Sequence, residues 1–274
     1  MACTSVPDER MTSYVDFPET RELTSRTLTL DSALFRYPYR VRVQDDKAVV
    51  LDLHGTEYFF HAFHYPGFHY LSSFGKRGDA PEEMLSAENL RWNGNFLWTL
   101  DSNKSELTRL GFASSGDSLL RLETVSLDEE QLRALDFVQY DDSTFIIPDY
   151  SGDGRFCLVS RQGRLLRKIG TIPTTNEDAL KNARPALAQA WRSFIDYNPR
   201  NGVLAAVTQL GEVLEIYNLK DSTHIVRIGP NGEPEFQISQ GYGIPTGIMG
   251  FSDIQVTDSA IYVVFQGRAF KDIM

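Results

Sequence analysis

The sequence predicts an all-β protein, a β-propeller of four-stranded antiparallel blades. Three observations predict it. A strand–turn–strand unit recurs five times along the chain. The aspartates that close the first three units, Asp52, Asp101 and Asp149, stand about 49 and 48 residues apart, inside the roughly 40–50 typical of propeller blades. A second hairpin follows three of the units, and four strands per repeat suit a propeller better than a sandwich.

The units span residues 39–52, 88–101, 134–149, 194–208 and 251–265. In each, a short alternating strand leads to a polar turn, such as Asp45-Asp46 or Asn93-Gly94, and then to a mostly apolar strand. Asn, Asp and Gly tolerate the positive φ that tight hairpins need. A strand that is apolar almost throughout predicts burial on both faces, as in a sheet packed between neighbours. The outer hairpins read as 57–74, 156–169 and 213–228. After Asp149 the spacing stretches to roughly 58 residues, and two inserts account for the excess. Residues 176–191 predict one short helical insert: acids fill its first turn, Ala and Leu follow, and Thr174 or Thr175 stands where a cap belongs. Pro185 should break or restart it. Residues 241–250 are glycine-rich and read as a loop. Near the start, Leu23 to Leu30 alternates like a strand and is placed to pair with a last blade.

The run Phe74-Gly75-Lys76-Arg77-Gly78, continuing to Pro81-Glu82, resembles the link between successive NHL-type blades. Ile228-Gly229-Pro230-Asn231-Gly232, continuing to Pro234-Glu235, is a related copy. The aspartates ending the second strands match that family's habit. Over about residues 35–270 the chain resembles the TolB-like six-bladed propellers found as lipoproteins in Bacteroides-type bacteria. The resemblance implies a six-bladed ring of which about four and a half blades are present. On this reading residues 1–20 are an N-terminal tether and 21–274 an incomplete propeller domain. An open ring exposes apolar blade faces and predicts poor solubility or dimerisation.

The 274 residues include 42% hydrophobic and 23% charged side chains with a net charge of −10, which argues against broad disorder and against an overall field for phosphate backbones. The basic clusters at 161–168 and 76–77 are too small for a nucleic-acid reader. No stretch is long and apolar enough to span a membrane. Cys3, after Ala2 and before a polar run to Ser13, looks like the lipid-bearing cysteine of a bacterial lipoprotein. Lipidation would place the protein at the cell envelope, with membrane contact only through that anchor. The alternative is an ordinary cysteine in a frayed terminus, with a cytoplasmic location.

Aligning the five units puts Arg42, Arg91, Gln139, Asp196 and Gln255 at one equivalent, polar position of the innermost strands. Strand alternation sends them to the face opposite Val43, Trp92, Tyr140, Tyr197 and Val256. They are the candidate ligand-binding lining of a central channel; the alternative is a channel that is polar merely because it is wet. His64 and His69 should face each other across a hairpin but lack an evident third metal ligand. Asp149-Tyr-Ser151-Gly-Asp153 opens like a calcium loop, yet its twelfth position is Ser160. Neither is read as a metal site. Gly241-Tyr242-Gly243 lacks the rest of a dinucleotide fingerprint, and no G-x-S-x-G occurs. No cofactor is expected. The sequence therefore predicts a non-catalytic binding or scaffold propeller that engages a protein or glycan, the alternative being a hydrolase or lyase with its site at the channel mouth.

Overall fold

The computed structural model describes residues 11–28, 30, 35–131 and 133–272. A short strand, β1 (Met11–Ser13), comes first. The first blade is β2 (Pro38–Gln44), β3 (Lys47–Asp52), β4 (Tyr58–His64) and β5 (His69–Lys76), hydrogen-bonded in chain order. The second is β6 (Ala87–Asn93), β7 (Phe96–Asp101), β8 (Glu106–Phe112) and β9 (Leu119–Ser126). The third is β10 (Val138–Asp141), β11 (Thr144–Pro148), β12 (Phe156–Ser160) and β13 (Leu165–Ile169). Two helices follow, α1 (Glu177–Asn182) and α2 (Arg184–Ala190). The fourth blade is β14 (Ser193–Asn198), β15 (Val203–Thr208), β16 (Val213–Asn218) and β17 (Thr223–Ile228). A small hairpin, β18 (Phe236–Ser239) and β19 (Tyr242–Pro245), leads to the fifth unit, a two-stranded sheet of β20 (Ile248–Val256) and β21 (Ile261–Ala269). Four blades and a half are what the repeats predict.

The core lies between blades, which explains why the second strands are apolar on both faces. Val49 and Leu51 of β3 join Leu90, Leu97 and Leu110 of the second blade. Trp98 and Leu100 of β7 join Phe145 and Ile147 of β11. Along β15 the alternation is complete: Leu204 and Ala206 pack with Ile146 and Phe156 of the third blade, while Ala205 and Val207 pack with Phe251 and Ile254 of the fifth unit. Period-2 alternation thus serves two interfaces with one strand.

The aspartates that close the units are buried acceptors. Asp52 takes the amide N–H groups of Arg36 at 2.7 Å and Tyr37 at 2.6 Å. Asp101 takes those of Leu85 at 2.7 Å and Ser86 at 3.2 Å. Each therefore pins the chain as it enters an innermost strand, supplying acceptors that buried amides require. Asp149 instead holds its own turn, through the N–H groups of Ser151 and Gly154.

Four local expectations change. The helical insert is two helices, as Pro185 at the start of α2 predicts, but the side chain that caps α1 is Asn176, accepting from the Ala179 N–H at 3.0 Å, rather than a threonine. Residues 241–250 are not simply a loop: Gln240 and Gly241, at φ 52° and 83°, make a two-residue turn that folds β19 onto β18, as paired positive-φ residues do in tight hairpins. Residues 23–28 form no strand and Leu23 is 93% exposed; without a partner edge an alternating segment keeps its backbone solvated. Finally, β1, inside the segment read as a tether, runs parallel to β17 and covers its edge. Cys3 lies outside the described residues.

Candidate functional site

The innermost strands β2, β6, β10, β14 and β20 surround a cavity of about 730 Å³, and Arg42, Arg91, Gln139, Asp196 and Gln255 all line it. Strand register explains the convergence. Arg42, Arg91, Gln139 and Asp196 pair with Val49, Trp98, Phe145 and Ala205, each three residues before the end of its own second strand. Gln255 pairs with Tyr262 at the start of β21. Val43, Trp92, Tyr140, Tyr197 and Val256, which alternation assigns to the opposite face, line the cavity as well, because it reaches past the strand ends to both faces of the turns, and the Tyr140 and Tyr197 rings lie 5.4 Å apart.

The floor is a set of ion pairs that join blades across the channel. Arg42 forks onto Asp253, at 2.6 and 2.7 Å, linking the first blade to the fifth unit. Arg91 donates to Asp196 at 2.7 Å and to both carboxylate oxygens of Asp136 at 3.0 and 3.1 Å, and also bonds the Ile195 carbonyl. The second oxygen of Asp196 accepts the Val256 N–H at 2.7 Å, and Asp136 accepts the Ile195 N–H at 2.8 Å. Arg40 lies below, almost fully buried, over the Phe194 ring at 4.6 Å and with Nε 3.5 Å from Asp253. Three guanidinium groups thus face three carboxylates. Burial pushes the Asp253 carboxyl up, but the bond from Arg42 and the charges of Arg40 and Arg42 outweigh it and hold it below the ordinary range. Burial raises the Asp196 carboxyl, and Arg91 only partly offsets it.

The five predicted positions therefore divide. Arg42, Arg91 and Asp196 are tied to other blades and fix the ring. Gln139 accepts from the Asn93 amide and donates to the Asp141 carbonyl at 3.0 Å, at the rim. Among the described residues the Gln255 side chain makes no hydrogen bond. The partners Asp136 and Asp253 escaped the sequence reading. A signal for them exists: Asn89, Asp136 and Asp253 each precede an apolar residue and accept that residue's N–H, at 2.8, 2.8 and 2.9 Å.

The other constellations resolve locally. His64 and His69 do sit opposite each other across their hairpin, and among the described residues no three His, Cys, Asp or Glu side chains are grouped to hold a metal. In the turn after Asp149, the place a cation would take is held by the Lys168 ammonium, 3.5 Å from Asp149 and 3.3 Å from Asp153. Cys157 is buried in β12, and burial pushes its thiol up to about 12, far from a nucleophile's range. Among the described residues, no helix is long and apolar enough to cross a membrane.

Antiparallel four-stranded blades set around a polar channel define a β-propeller. The model of the TolB-like 6-blade propeller-like family matches residues 16–274, and the chain belongs to that family. No curated protein matches the sequence. Among solved structures, a member of the DUF4221 family from Bacteroides vulgatus is similar at 11% identity, over 84% of this chain and 67% of that one, with a TM-score of 0.49. A presumptive exported protein of Bacteroides fragilis is similar at 11% identity, over 79% of each chain, with a TM-score of 0.45. A functionally unknown protein from Desulfotomaculum acetoxidans is similar at 12% identity, over 67% of this chain and 53% of that one, with a TM-score of 0.43.

Proposed function

We propose that this chain is a non-catalytic binding or scaffold propeller of the cell envelope, which takes a protein or glycan at the mouth of its channel. The observation that carries the reading is the convergence of five innermost strands on one cavity whose rim offers amide and aromatic groups. Large concave sites with a few convergent polar groups are the usual places for ligands. The pairing of the floor supports binding over catalysis: both oxygens of Asp196, the buried carboxyl with the raised pKa, are engaged by Arg91 and the Val256 N–H, so it is poorly placed to move a substrate proton. The envelope location rests on the Ala2-Cys3 reading.

The test uses rim residues, because replacing Arg42 or Arg91 would disturb the ring itself. The full chain is screened against envelope proteins and glycans, and each binder is re-measured with Gln255→Ala and Tyr140→Ala. A loss of affinity of about tenfold or more, with an unchanged melting curve, supports the channel mouth. Binders indifferent to both changes would move the site elsewhere, and turnover of a bound glycan or ester would favour the hydrolase or lyase reading. Labelled lipid failing to attach to Cys3 in the host would remove the support for the envelope.

A further inference from the structure

Three aromatic rings line the channel mouth, each from a complete four-stranded blade: Trp92 of the second, Tyr140 of the third and Tyr197 of the fourth. All three are half-buried. The tyrosine rings lie 5.4 Å apart at 48°, and Phe112 stacks on Trp92 at 6.2 Å and 15°. Packing thus fixes the rings and leaves part of each open. Among the described residues neither tyrosine hydroxyl, nor the Gln255 amide, makes a hydrogen bond.

The charges of the cavity are committed elsewhere. Its cations are Arg42, Arg91 and Arg200. Arg42 holds Asp253, Arg91 holds Asp136 and Asp196, and the exposed Arg200 pairs with Asp258 at 2.9 Å. Drawing Arg91 away from its partners would strand buried carboxylates, which is strongly unfavourable. Asp141, hydrogen-bonded to Ser143, and Asp142 stand exposed at the rim with no ion pair among the described residues.

We infer that the channel mouth takes a neutral glycan, with the C–H face of one sugar on the Tyr140–Tyr197 pair and that of a second on Trp92. The sugar hydroxyls then pair with the free phenols and the Gln255 amide. The inference rests on the channel-mouth reading and narrows it. Tyrosine and tryptophan present an apolar face beside a polar tip, and a sugar ring presents C–H faces bordered by hydroxyls. An acidic glycan would meet Asp141 and Asp142 with no uncommitted guanidinium to receive it. A protein would need a desolvated pocket for an anchor side chain. The floor here is instead a set of guanidinium groups facing carboxylates.

The molecule carries its own reporter. Of its three tryptophans, Trp98 and Trp191 are 1% exposed, and only Trp92 is half-buried. The full chain is applied to an array of neutral, uronate, sialylated and sulfated glycans. Each bound glycan is then titrated in solution while acrylamide quenching of the tryptophan emission is followed. Binding is expected to be confined to neutral glycans, with quenching reduced in the complex. Trp92→Phe should abolish that reduction. Tyr197→Ala should weaken binding about tenfold. Tyr197→Phe, which keeps the ring and its packing, should weaken it about threefold through the lost hydroxyl. Acidic glycans bound as tightly as neutral ones would overturn the inference, as would a neutral glycan indifferent to both Tyr197 changes. If no glycan binds, while an envelope protein binds and loses affinity with Gln255→Ala and Tyr140→Ala, the glycan inference fails and the channel mouth stands.

Discussion

β15 and β21 occupy the same place, second in their units, and are written in the same kind of sequence: Val-Leu-Ala-Ala-Val-Thr in one, Ile-Tyr-Val-Val-Phe-Gln in the other. Their environments are opposite. Leu204, Ala205, Ala206 and Val207 are all at 0% exposure, whereas Tyr262, Val263, Val264 and Phe265 range from 38% to 63%. The difference lies in neighbours rather than in the strand. β15 has the third blade on one face, the fifth unit on the other and β16 along its outer edge. β21 has only β20. An apolar second strand thus encodes a position between two layers, and the same code without the layers leaves Tyr262 to Phe265 exposed.

The depth of the interfaces on the two sides of the ring should follow the same contrast. The largest effect is expected where the third and fourth blades meet. There Arg155 holds Glu215 at 2.5 and 2.9 Å, with side chains 1% and 0% exposed, and also bonds Ser193 Oγ at 2.6 Å. Arg155→Ala leaves the Glu215 carboxylate buried, with the Tyr217 hydroxyl donating to it at 2.6 Å and the His224 Nε2 3.9 Å away. Urea unfolding should show a loss of about 3–5 kcal/mol, the range for a buried charge stripped of its partner. The strands themselves come next. Leu204→Ala should cost about 2–5 kcal/mol as a core truncation, and Val263→Ala less than about 0.5 kcal/mol as a surface change. Equal costs for the two would mean that β21 is covered in solution, and the contrast between the strands would fail.

Much of this was legible in the residues because propeller order is written in local terms. Alternation, turn residues and a repeat near 48 residues fix strand after strand, and the unit-closing aspartates Asp52 and Asp101 mark the entries into the first two blades. The channel lining was legible for the same reason: equivalent places in a repeat converge on the axis. What local reasoning could not supply is pairing across the channel. Arg91 meets Asp136 and Asp196, 45 and 105 residues away, and Arg42 meets Asp253 across 211. No spacing rule connects such positions, so residues that look like an open binding surface turned out to be mutual partners. The hairpin at 236–245 was missed for a smaller reason: its turn uses Gln240 before Gly241 in place of the usual Asn or Asp.

The junction of the first blade and the fifth unit is shallower than that of the third and fourth, and it should show this in both size and pH. Its lock is Arg42 on Asp253, with side chains 16% and 27% exposed. Arg42→Gln keeps the stem and some hydrogen bonding while removing the charge, and partial solvation limits the loss to about 1 kcal/mol at neutral pH. The folded-state pKa of Asp253 is depressed below its ordinary 3.8. A depressed carboxyl contributes stability that is present above its unfolded pKa and is lost as pH falls through the folded one. The gap between wild type and Arg42→Gln should therefore be full at neutral pH and shrink below 3.8, as Asp253 takes up a proton. Asp196 titrates with the opposite sign, its carboxyl raised chiefly by burial. That burial, and the Arg91 charge that offsets part of it, are common to both proteins, so most of the Asp196 effect cancels in the difference. Urea midpoints of the two proteins, measured at neutral pH and again near pH 3, give the answer. A gap that persists undiminished in acid would show that Arg42 holds the junction by packing rather than by charge, and the fifth unit would then be seated as firmly as the fourth blade.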